Sequence, residues 1–243
     1  MKNLIVAINC KEDRDDLISH LNCQLDNSSH FKWKKEDVIV VTDFNFKYKD
    51  FKSIEVDGTL YHNNPTFNKW IFLKNNPYIL DDDFWVHSYD VWQTFKIYMP
   101  EFPGEIGACP YVFNGELNFS SIFIKKSSLF LIEYIVDFIE KNDKSVQTST
   151  DEDWISFLRT NIKEIAGLIS TVDSRYNVGS TKIEYRYKNS KEPICAISLS
   201  FKNKSIYEIF KGNNNCKGST EGVNLVPDYL DKLFLKHNLL KWI

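Results

Sequence analysis

The sequence predicts an α/β domain built on a central, mostly parallel sheet that is flanked by helices. Residues 4–8 form a short apolar run that ends in a polar turn, which is typical of a strand. Asp13 can cap a helix in which leucine and isoleucine recur at helical spacing, and residues 37–43 then form a second, apolar strand. Because strand, helix and strand in this order indicate a right-handed βαβ unit, the first two strands are expected to be parallel neighbours.

A third apolar stretch, residues 84–91, is predicted to be an interior strand of the same sheet. Phe84, Trp85 and Val86 favour strands, and the stretch shows no helical spacing. In an open α/β sheet, ligands bind at the carboxyl ends of the strands, and Asp90 stands at that end. The carboxylate is placed to meet a metal-bound phosphate, although it is equally suited to capping the turn that follows.

The rest of the chain alternates strands and helices without an internal repeat or a long linker. We therefore expect one domain over residues 1–243, with an added strand and helix region at its C-terminal end. The further predicted elements are a weak strand at 51–56, a helix at 67–74, a loop at 100–110, a strand at 118–125, a helix at 129–140, a helix that opens at 150, an exposed strand at 182–188, a strand at 194–201, a loop at 212–222 and a closing helix at 227–240.

Composition narrows the class of protein. With 43% hydrophobic residues in 243, the chain can fill a sizeable core, and its net charge of −3 gives no global signal for nucleic acid or membrane. No apolar run approaches the roughly 20 residues that cross a bilayer, and the N-terminus predicts a strand rather than a signal peptide. The five cysteines are odd in number and form no CxxC pair, which predicts a cytoplasmic protein with free thiols.

Several short motifs occur in an order that resembles the GT-A fold of nucleotide-sugar glycosyltransferases. The segment FWVHSYDVWQ at residues 84–93 is similar to the strand that carries the D-x-D motif of that fold. It resembles more closely a viral and phage group in which the strand is approximately W-x-H-D-x-D-x-x-Q, and residues 40–44 and 176–179 agree with that group in order. The resemblance implies a GT-A-like, Rossmann-type sheet, a nucleotide-diphosphate-sugar donor and, for this group, a modified base in phage DNA as acceptor.

The resemblance also implies a divalent cation, Mn or Mg, at the end of the third apolar strand. Ser88 stands where the pattern has its first aspartate, so Asp90 is the remaining candidate metal ligand. The histidine that GT-A enzymes often place after the last strand is missing from residues 196–201. The acids at 81–83 precede the strand and are expected to form a solvated turn at its opposite end. His87 alternates away from Ser88 and is expected to be packed.

Glycosyl transfer also needs a group that deprotonates the acceptor hydroxyl. Asp151, Glu152 and Asp153 are the best acids outside the strand and are the candidate catalytic residues. Thr150 and Asp153 also approach a capping box, and acids suit the first turn of any helix. The two interpretations are compatible, because a helix cap can face a cleft.

The donor is expected to lie along the ends of the first strands. Residues that follow the first two strands are candidates for the nucleotide base, and the same residues could equally be ordinary turn formers. A lysine on the helix before the third apolar strand is a candidate for a phosphate, although such lysines are usually solvated. The predicted donor-binding residues are Asn9, Thr42, Asp43 and Phe44 at the base, Lys69 and Ser88 near the phosphates, and Asn118, Ser120 and Ser121 along the sugar.

The acceptor has a weaker signal in a basic stretch near the C-terminal end. Basic residues beside aromatic residues suit a nucleic-acid surface, whereas a solvated strand edge is the commoner cause. The hypothesis is a glycosyltransferase that uses a hydroxyl acceptor, with a modified DNA base favoured; the alternatives are a degenerate member that binds nucleotide sugar without turnover, or a scaffold. The stretch comprises Lys182, Arg186, Lys188, Lys191, Lys202 and Lys204, interleaved with Tyr185, Tyr187 and Phe201.

Overall fold

Short runs of valine, isoleucine and phenylalanine form the strands of the protein. The structure is a computed structural model and describes residues 1–110, 117–142, 150–178, 193–199, 204–212 and 224–241. The strands are β1 (Lys2–Ala7), β2 (Val38–Thr42), β3 (Lys52–Glu55), β4 (Phe84–Ser88), β5 (Val91–Gln93), β6 (Ile106–Pro110), β7 (Leu117–Ile124), β8 (Ile169–Thr171) and β9 (Ala196–Ser198).

Helices follow β1, β3, β7 and β9 along the chain. Asp13 accepts a hydrogen bond from the Asp15 N–H and caps the first helix, as the sequence predicts. The α-helices are α1 (Arg14–His30), α2 (Asn68–Asn75), α3 (Leu129–Lys141), α4 (Asp151–Asn161), α5 (Lys163–Ala166), α6 (Lys204–Phe210) and α7 (Asp228–Lys236).

The chain divides into two compact units, and the single-domain expectation stays a prediction. The first unit comprises Met1–Lys11, Glu36–Ser88 and Tyr98–Asp173, and the second comprises Glu12–Lys35, Tyr89–Ile97 and Ser174–Ile243.

One seven-stranded sheet organises the first unit, in the order β3-β2-β1-β4-β7-β6-β8. The pairs β1–β2, β2–β3, β1–β4 and β6–β8 are parallel, whereas β7 runs antiparallel to both of its neighbours. The predicted mostly parallel sheet is therefore confirmed, and β4 is an interior strand as expected.

The core of the first unit lies on one face of this sheet. Leu4, Val86 and Ile122 come from adjacent strands and are fully buried in a single apolar cluster with Trp70 of α2 and Ile135 of α3. Each such buried side chain stabilises the fold by about 1.5–3 kcal/mol relative to exposure. This packing fixes the strands whose ends form the candidate site.

The second unit has a small two-stranded sheet of its own. β5 pairs antiparallel with β9, and the Trp92 indole donates to the Leu199 carbonyl and packs against Phe234 at 4.8 Å between ring centroids. Helix α1 turns polar side chains toward β5, where the amides of Gln24 and Asn27 donate to strand carbonyls.

Two sequence expectations about the elements are wrong in detail, and one helix was not predicted. The predicted strand at 84–91 ends at Ser88, because the chain turns at residues 89–90 and continues as β5 in the other sheet. The predicted loop at 100–110 contains β6. This strand was not predicted, because its glycine and proline are typical of a loop. Gly107 is required there, since a Cβ would lie 2.7 Å from Val172 Cγ1. Helix α6 was not predicted. The predicted strand at 182–188 lies outside the described residues, as does most of the predicted loop at 212–222.

None of the described helices is long and apolar enough to span a bilayer.

The acids before β4 form the expected turn, where the N-terminal ammonium pairs with Asp82 and Lys2 pairs with Asp81.

Candidate active site

The carboxyl edge of the large sheet collects most of the residues predicted to bind a donor. Val6 of β1 lies beside Ser88, and Ala7 lies beside Thr42, so β1, β2 and β4 end at the same edge. Because β7 is antiparallel to β4 and pairs Ser121 with His87, its beginning lies at this edge too. The sheet order therefore brings the ends of three parallel strands together with the start of β7.

At the end of β1, Asn9 is the centre of a tight polar cluster. It has a positive φ of 54°, an uncommon backbone conformation for a residue other than glycine. Its N–H donates to Asp43 Oδ2 at 3.1 Å, and its side-chain amide donates to the carbonyls of Gly58 and His62. A Cβ on Gly58 would lie 2.9 Å from Asn9 Oδ1, so this contact requires glycine.

His62 is a residue of this edge that the sequence reasoning did not single out. Its carbonyl accepts from the side chains of Asn9 and Asn68, and its N–H donates to Asn68 Oδ1 at 2.9 Å. The Asn64 N–H donates to His62 Nδ1 at 2.9 Å, so the neutral ring carries its proton on Nε2. The half-buried ring can therefore offer an N–H donor. The only sequence signal is the turn-forming run His62 to Pro65, which predicts a loop and no more.

A buried ion pair joins Lys69 of α2 to Asp151 of α4. Lys69 Nζ lies 2.5 Å from Asp151 Oδ2, and the same oxygen accepts from the Trp70 indole at 2.8 Å. Lys69 also donates to the Thr66 carbonyl, and the Thr66 hydroxyl accepts from the Asp151 N–H. These contacts tie the first turn of α4 to α2 and to the segment that carries His62.

The other two predicted acids occupy different surroundings. Thr150 and Asp153 form a capping box, which confirms that alternative for Asp153. Glu152 is half-exposed, and its Oε1 accepts from the Phe119 N–H at 3.3 Å, between Asn118 and Ser120 of β7. Of the three acids, Glu152 is therefore the one whose side chain bonds directly to β7 at the sheet edge.

Comparison with known proteins rests on structure alone, since no family model and no curated protein matches the sequence. An active-site mutant of LgtC superposes with a TM-score of 0.58 at 15% identity, over 96% of this chain and 100% of that one. The glycosyltransferase GlyE of Streptococcus pneumoniae TIGR4 gives 0.55 at 12% identity, over 84% of this chain and 57% of that one. A glycosyltransferase involved in glycosylation of the major capsid of PBCV-1 gives 0.52 at 9% identity, over 81% and 92% of the two chains.

The chain has the GT-A fold. The predicted fold class is confirmed by these neighbours together with the mostly parallel sheet. Likeness at such low identity concerns the fold, so the reaction has to be inferred from the residues.

Some residues predicted to bind the donor lie inside this GT-A fold rather than on its surface. The Thr42 hydroxyl is fully buried and donates to the Phe44 carbonyl at 2.7 Å, as a turn former does. Phe44 packs edge-on against Phe46, and Ser121 accepts from the Trp85 indole. Their roles at the donor remain predictions, as do those of Asn9, Asp43, Lys69, Ser88, Asn118 and Ser120.

His87 is packed, as the strand alternation predicts. Its ring is 1% exposed and lies 4.0 Å from the Trp85 ring centroid. Its Nδ1 is 2.9 Å from the Ser88 carbonyl, which can only accept, so Nδ1 carries the proton of the neutral ring. Burial lowers the pKa of His87 to about 4, and its Nε2 has no partner among the described residues.

The candidate metal ligand Asp90 follows β4 by two residues, in the turn at 89–90. Within the described part of the chain, no three histidine, cysteine or acidic side chains cluster as a metal site would require. The described residues therefore do not by themselves form a site that would hold a cation. They fit at most one that a single carboxylate shares with the phosphates of a substrate.

Proposed function

We propose that the protein is a glycosyltransferase that moves a sugar from a nucleotide-diphosphate sugar to a hydroxyl acceptor. The observation that carries this proposal is the set of polar residues at the carboxyl edge of a GT-A sheet: Asn9 after β1, Asp43 after β2, Ser88 at the end of β4 and Ser120 in β7. In open α/β sheets this edge is where ligands bind.

The donor lies along this edge in the proposed complex. Asp43 and Asn9, which are joined by a hydrogen bond, suit the hydrogen-bonding groups of a nucleoside. The Nε2–H of His62 suits an anionic or hydroxyl oxygen, and Ser120 with Asn118 suits the hydroxyls of the sugar.

In the reaction, the bond between the anomeric carbon and the diphosphate oxygen breaks, and its electron pair leaves with the diphosphate. The acceptor oxygen forms the new bond to that carbon and gives up its proton. Glu152 is the proposed base, because its carboxylate is half-exposed and is held beside β7 by the Phe119 N–H. Asp151 and Lys69 orient the helix turn that carries it.

A Mn or Mg ion is the proposed cofactor, and Asp90 would be the residue that holds it in the presence of the donor. When bound, it would neutralise charge on the leaving diphosphate. The lack of a clustered ligand set among the described residues makes donor-dependent metal binding the expected behaviour.

A modified base in DNA is the proposed acceptor, with the cytoplasm as the site of action. The support is the sequence resemblance and the basic stretch that contains Arg186 and Lys188, which lies outside the described residues. Reversing both charges should reduce DNA retention at low salt and leave nucleotide affinity unchanged, because phosphate contacts release counterions. Retention that survives both changes would mean that the basic stretch is only a solvated strand edge.

A second candidate is a nucleotide-sugar binder without turnover, which the sparse metal ligands favour. A thermal-shift screen of UDP-, GDP-, CDP- and ADP-sugars with and without Mn tests both. A shift with transfer or slow hydrolysis of the donor supports the enzyme, and a shift without either supports the binder. No shift with any donor would contradict both candidates.

A further inference from the structure

One peptide group at the carboxyl edge of the large sheet is held from both sides. It joins Ile8 to Asn9, directly after β1. Its N–H donates to Asp43 Oδ2 at 3.1 Å, and its C=O accepts from Asn68 Nδ2 at 3.0 Å. Because the two hydrogen bonds hold opposite ends of one planar group, the peptide cannot turn without losing both.

This restraint acts on a residue with an uncommon backbone conformation. The φ of Asn9 is 54°, and a conformation of this kind persists where the surrounding structure over-determines it. Turning the peptide would change this φ and would move the Asn9 side chain away from the carbonyls of Gly58 and His62. The orientation of one peptide therefore sets the positions of Asn9 and Asp43 relative to each other.

The side chain of Asn68 holds a second segment of the site as well. Its Oδ1 accepts from the His62 N–H at 2.9 Å, and its Nδ2 also donates to the His62 carbonyl at 3.0 Å. The side-chain amide of Asn9 donates to the same carbonyl at 3.1 Å. One fully buried side chain thus ties the end of β1 to the loop that carries His62.

These hydrogen bonds do not serve helix α2, although Asn68 is its first residue. An asparagine at the start of a helix commonly accepts a hydrogen bond from an N–H of the first turn. Here the N-cap is Phe67, no side chain caps the helix, and the Asn68 oxygen accepts from His62 instead. Since a buried amide costs free energy unless it is hydrogen-bonded, the place of Asn68 is explained by the two segments that it joins.

We propose that Asn68 is a positioning residue for the nucleotide. It is buried and acts through the peptide whose N–H holds the Asp43 carboxylate, so Asn9 and Asp43 are arranged for a nucleoside before one binds. A site arranged in advance loses less conformational entropy on binding, and a small displacement of its groups weakens it. The inference rests on the proposed function, because it requires that the nucleotide binds at Asn9 and Asp43.

The test measures the affinity of UDP, GDP, CDP and ADP for the full chain by calorimetry with Mn, and the tightest of them is used for the variants. Asn68→Ala removes three hydrogen bonds and should weaken the affinity by about ten-fold or more. Asn68→Asp keeps the volume and the acceptor for the His62 N–H but loses the amide donors, and it should weaken the affinity to a similar extent. Asn76→Ala is the matched control, because this amide donates to the Phe72 carbonyl at the other end of α2; it should leave the affinity unchanged.

Two further measurements separate positioning from a structural role. In turnover of a donor sugar, Asn68→Ala should raise KM by about ten-fold and change kcat by less than about three-fold, because contacts to the nucleoside act equally in the ground and transition states. In the parent chain without nucleotide, NMR should show the Asn9 amide protected from hydrogen exchange, and Asn68→Ala should speed its exchange by about ten-fold or more.

Thermal melts establish that each variant is folded, and the exchange measurement on the parent chain stands even if no Asn68 variant folds. The proposal is overturned if the Asn9 amide of the nucleotide-free parent exchanges as fast as an unstructured amide. It is also overturned if folded Asn68 variants bind nucleotide as the parent does, or if Asn76→Ala weakens binding equally. A parent chain that binds none of the four nucleotides contradicts the proposed function and this inference with it, whereas binding that Asn68→Ala leaves unchanged contradicts this inference alone.

Discussion

Lys69 Nζ lies 2.5 Å from Asp151 Oδ2, and the two side chains are only 8% and 3% exposed. Both were predicted to face substrate, Lys69 at a phosphate and Asp151 as a candidate catalytic base. In the structure they form an ion pair with each other, and the Trp70 indole N–H donates a hydrogen bond to the same carboxylate. Two charges removed from water in this way depend on each other strongly.

Removing either partner should therefore destabilise the fold. Lys69→Met or Asp151→Asn should lower the free energy of unfolding by about 3–5 kcal/mol, because each leaves an uncompensated buried group. The double variant should lose less than the sum of the two single losses. Urea denaturation measures all three. Lys74→Met, which breaks an exposed pair with Asp137, is the control and should change stability little. Additive losses would mean that the two charges act separately.

The stability of the protein should depend on pH through His87. Burial holds its pKa at about 4, below the ordinary value of 6.5. Above pH 6.5 the ring is neutral in both states. Between 6.5 and 4 the unfolded chain binds a proton that the folded chain does not, so stability falls with falling pH, by about 3 kcal/mol in total.

The measurement is the urea midpoint of the parent chain and of His87→Gln between about pH 7 and pH 4. The variant should lose part of the dependence on pH, and the difference between the two curves isolates His87 from the carboxylates. Parallel curves would contradict a buried neutral imidazole.

Glu152 and Asp153 should separate catalysis from helix capping. Glu152→Gln keeps an oxygen for the Phe119 N–H, so it should fold normally and lower kcat about 10²–10⁴-fold. Asp153→Ala removes the oxygen that accepts from the Thr150 N–H and so disrupts the capping box, which should cost about 1 kcal/mol of stability and leave kcat within a few-fold. Donor turnover and thermal melts of both variants decide this, and the opposite pattern would exchange the two roles.

Substitutions at Asp90 and Ser88 test whether a metal takes part in donor binding. The metal-dependent and metal-free mechanisms predict opposite effects of Ser88→Asp. Asp90→Asn should weaken metal-dependent donor binding and change stability little. Ser88→Asp adds a carboxylate and should tighten divalent-metal binding if a cation bridges the diphosphate. If the protein works without a metal, the added charge should repel the diphosphate and lower donor affinity. Calorimetry with and without Mn measures both, and unchanged affinities would make Asp90 a turn residue.

The contact between Gly58 and Asn9 should control nucleotide affinity. Gly58→Ala places a Cβ 2.9 Å from Asn9 Oδ1 and 3.0 Å from Asp43 Cβ, so both side chains must shift. We expect about a ten-fold weaker nucleotide affinity, in line with the sensitivity of binding sites to small displacements. Gly167→Ala, where nothing lies within 4 Å of the added Cβ, is the control and should bind normally.

The parallel half of the sheet was predictable because its signals are local. The apolar runs of β1, β2 and β4 sit in sequence next to turns, and buried parallel strands have this composition. Asn9, Asp43 and Ser88 could then be assigned to one edge from topology alone. β6 was missed because Gly107 and Pro110 have the composition of a loop, and their place in the sheet depends on neighbours far along the chain.

The details of the site were less predictable, because they too depend on contacts between residues far apart in the sequence. A lysine on one helix and an acid at the start of another give no sign in the sequence that they pair, and the contact exists only after α2 and α4 have packed. The capping box of Thr150 and Asp153 is local in sequence and was recognised. The role of Asn64 in setting the tautomer of His62 depends on loop geometry, which no pattern of residue types encodes.

The polar side chains of α1 have a consequence for the behaviour of the protein at high concentration. A strand as short as β5 has two edges, and a bare edge is a template on which other chains can aggregate. Here β9 covers one edge, while the Gln24 and Asn27 amides and the Tyr229 hydroxyl occupy β5 carbonyls. Side chains thus occupy, along this side of β5, positions that a neighbouring strand would otherwise take, which leaves fewer free carbonyls on which an intermolecular sheet could start.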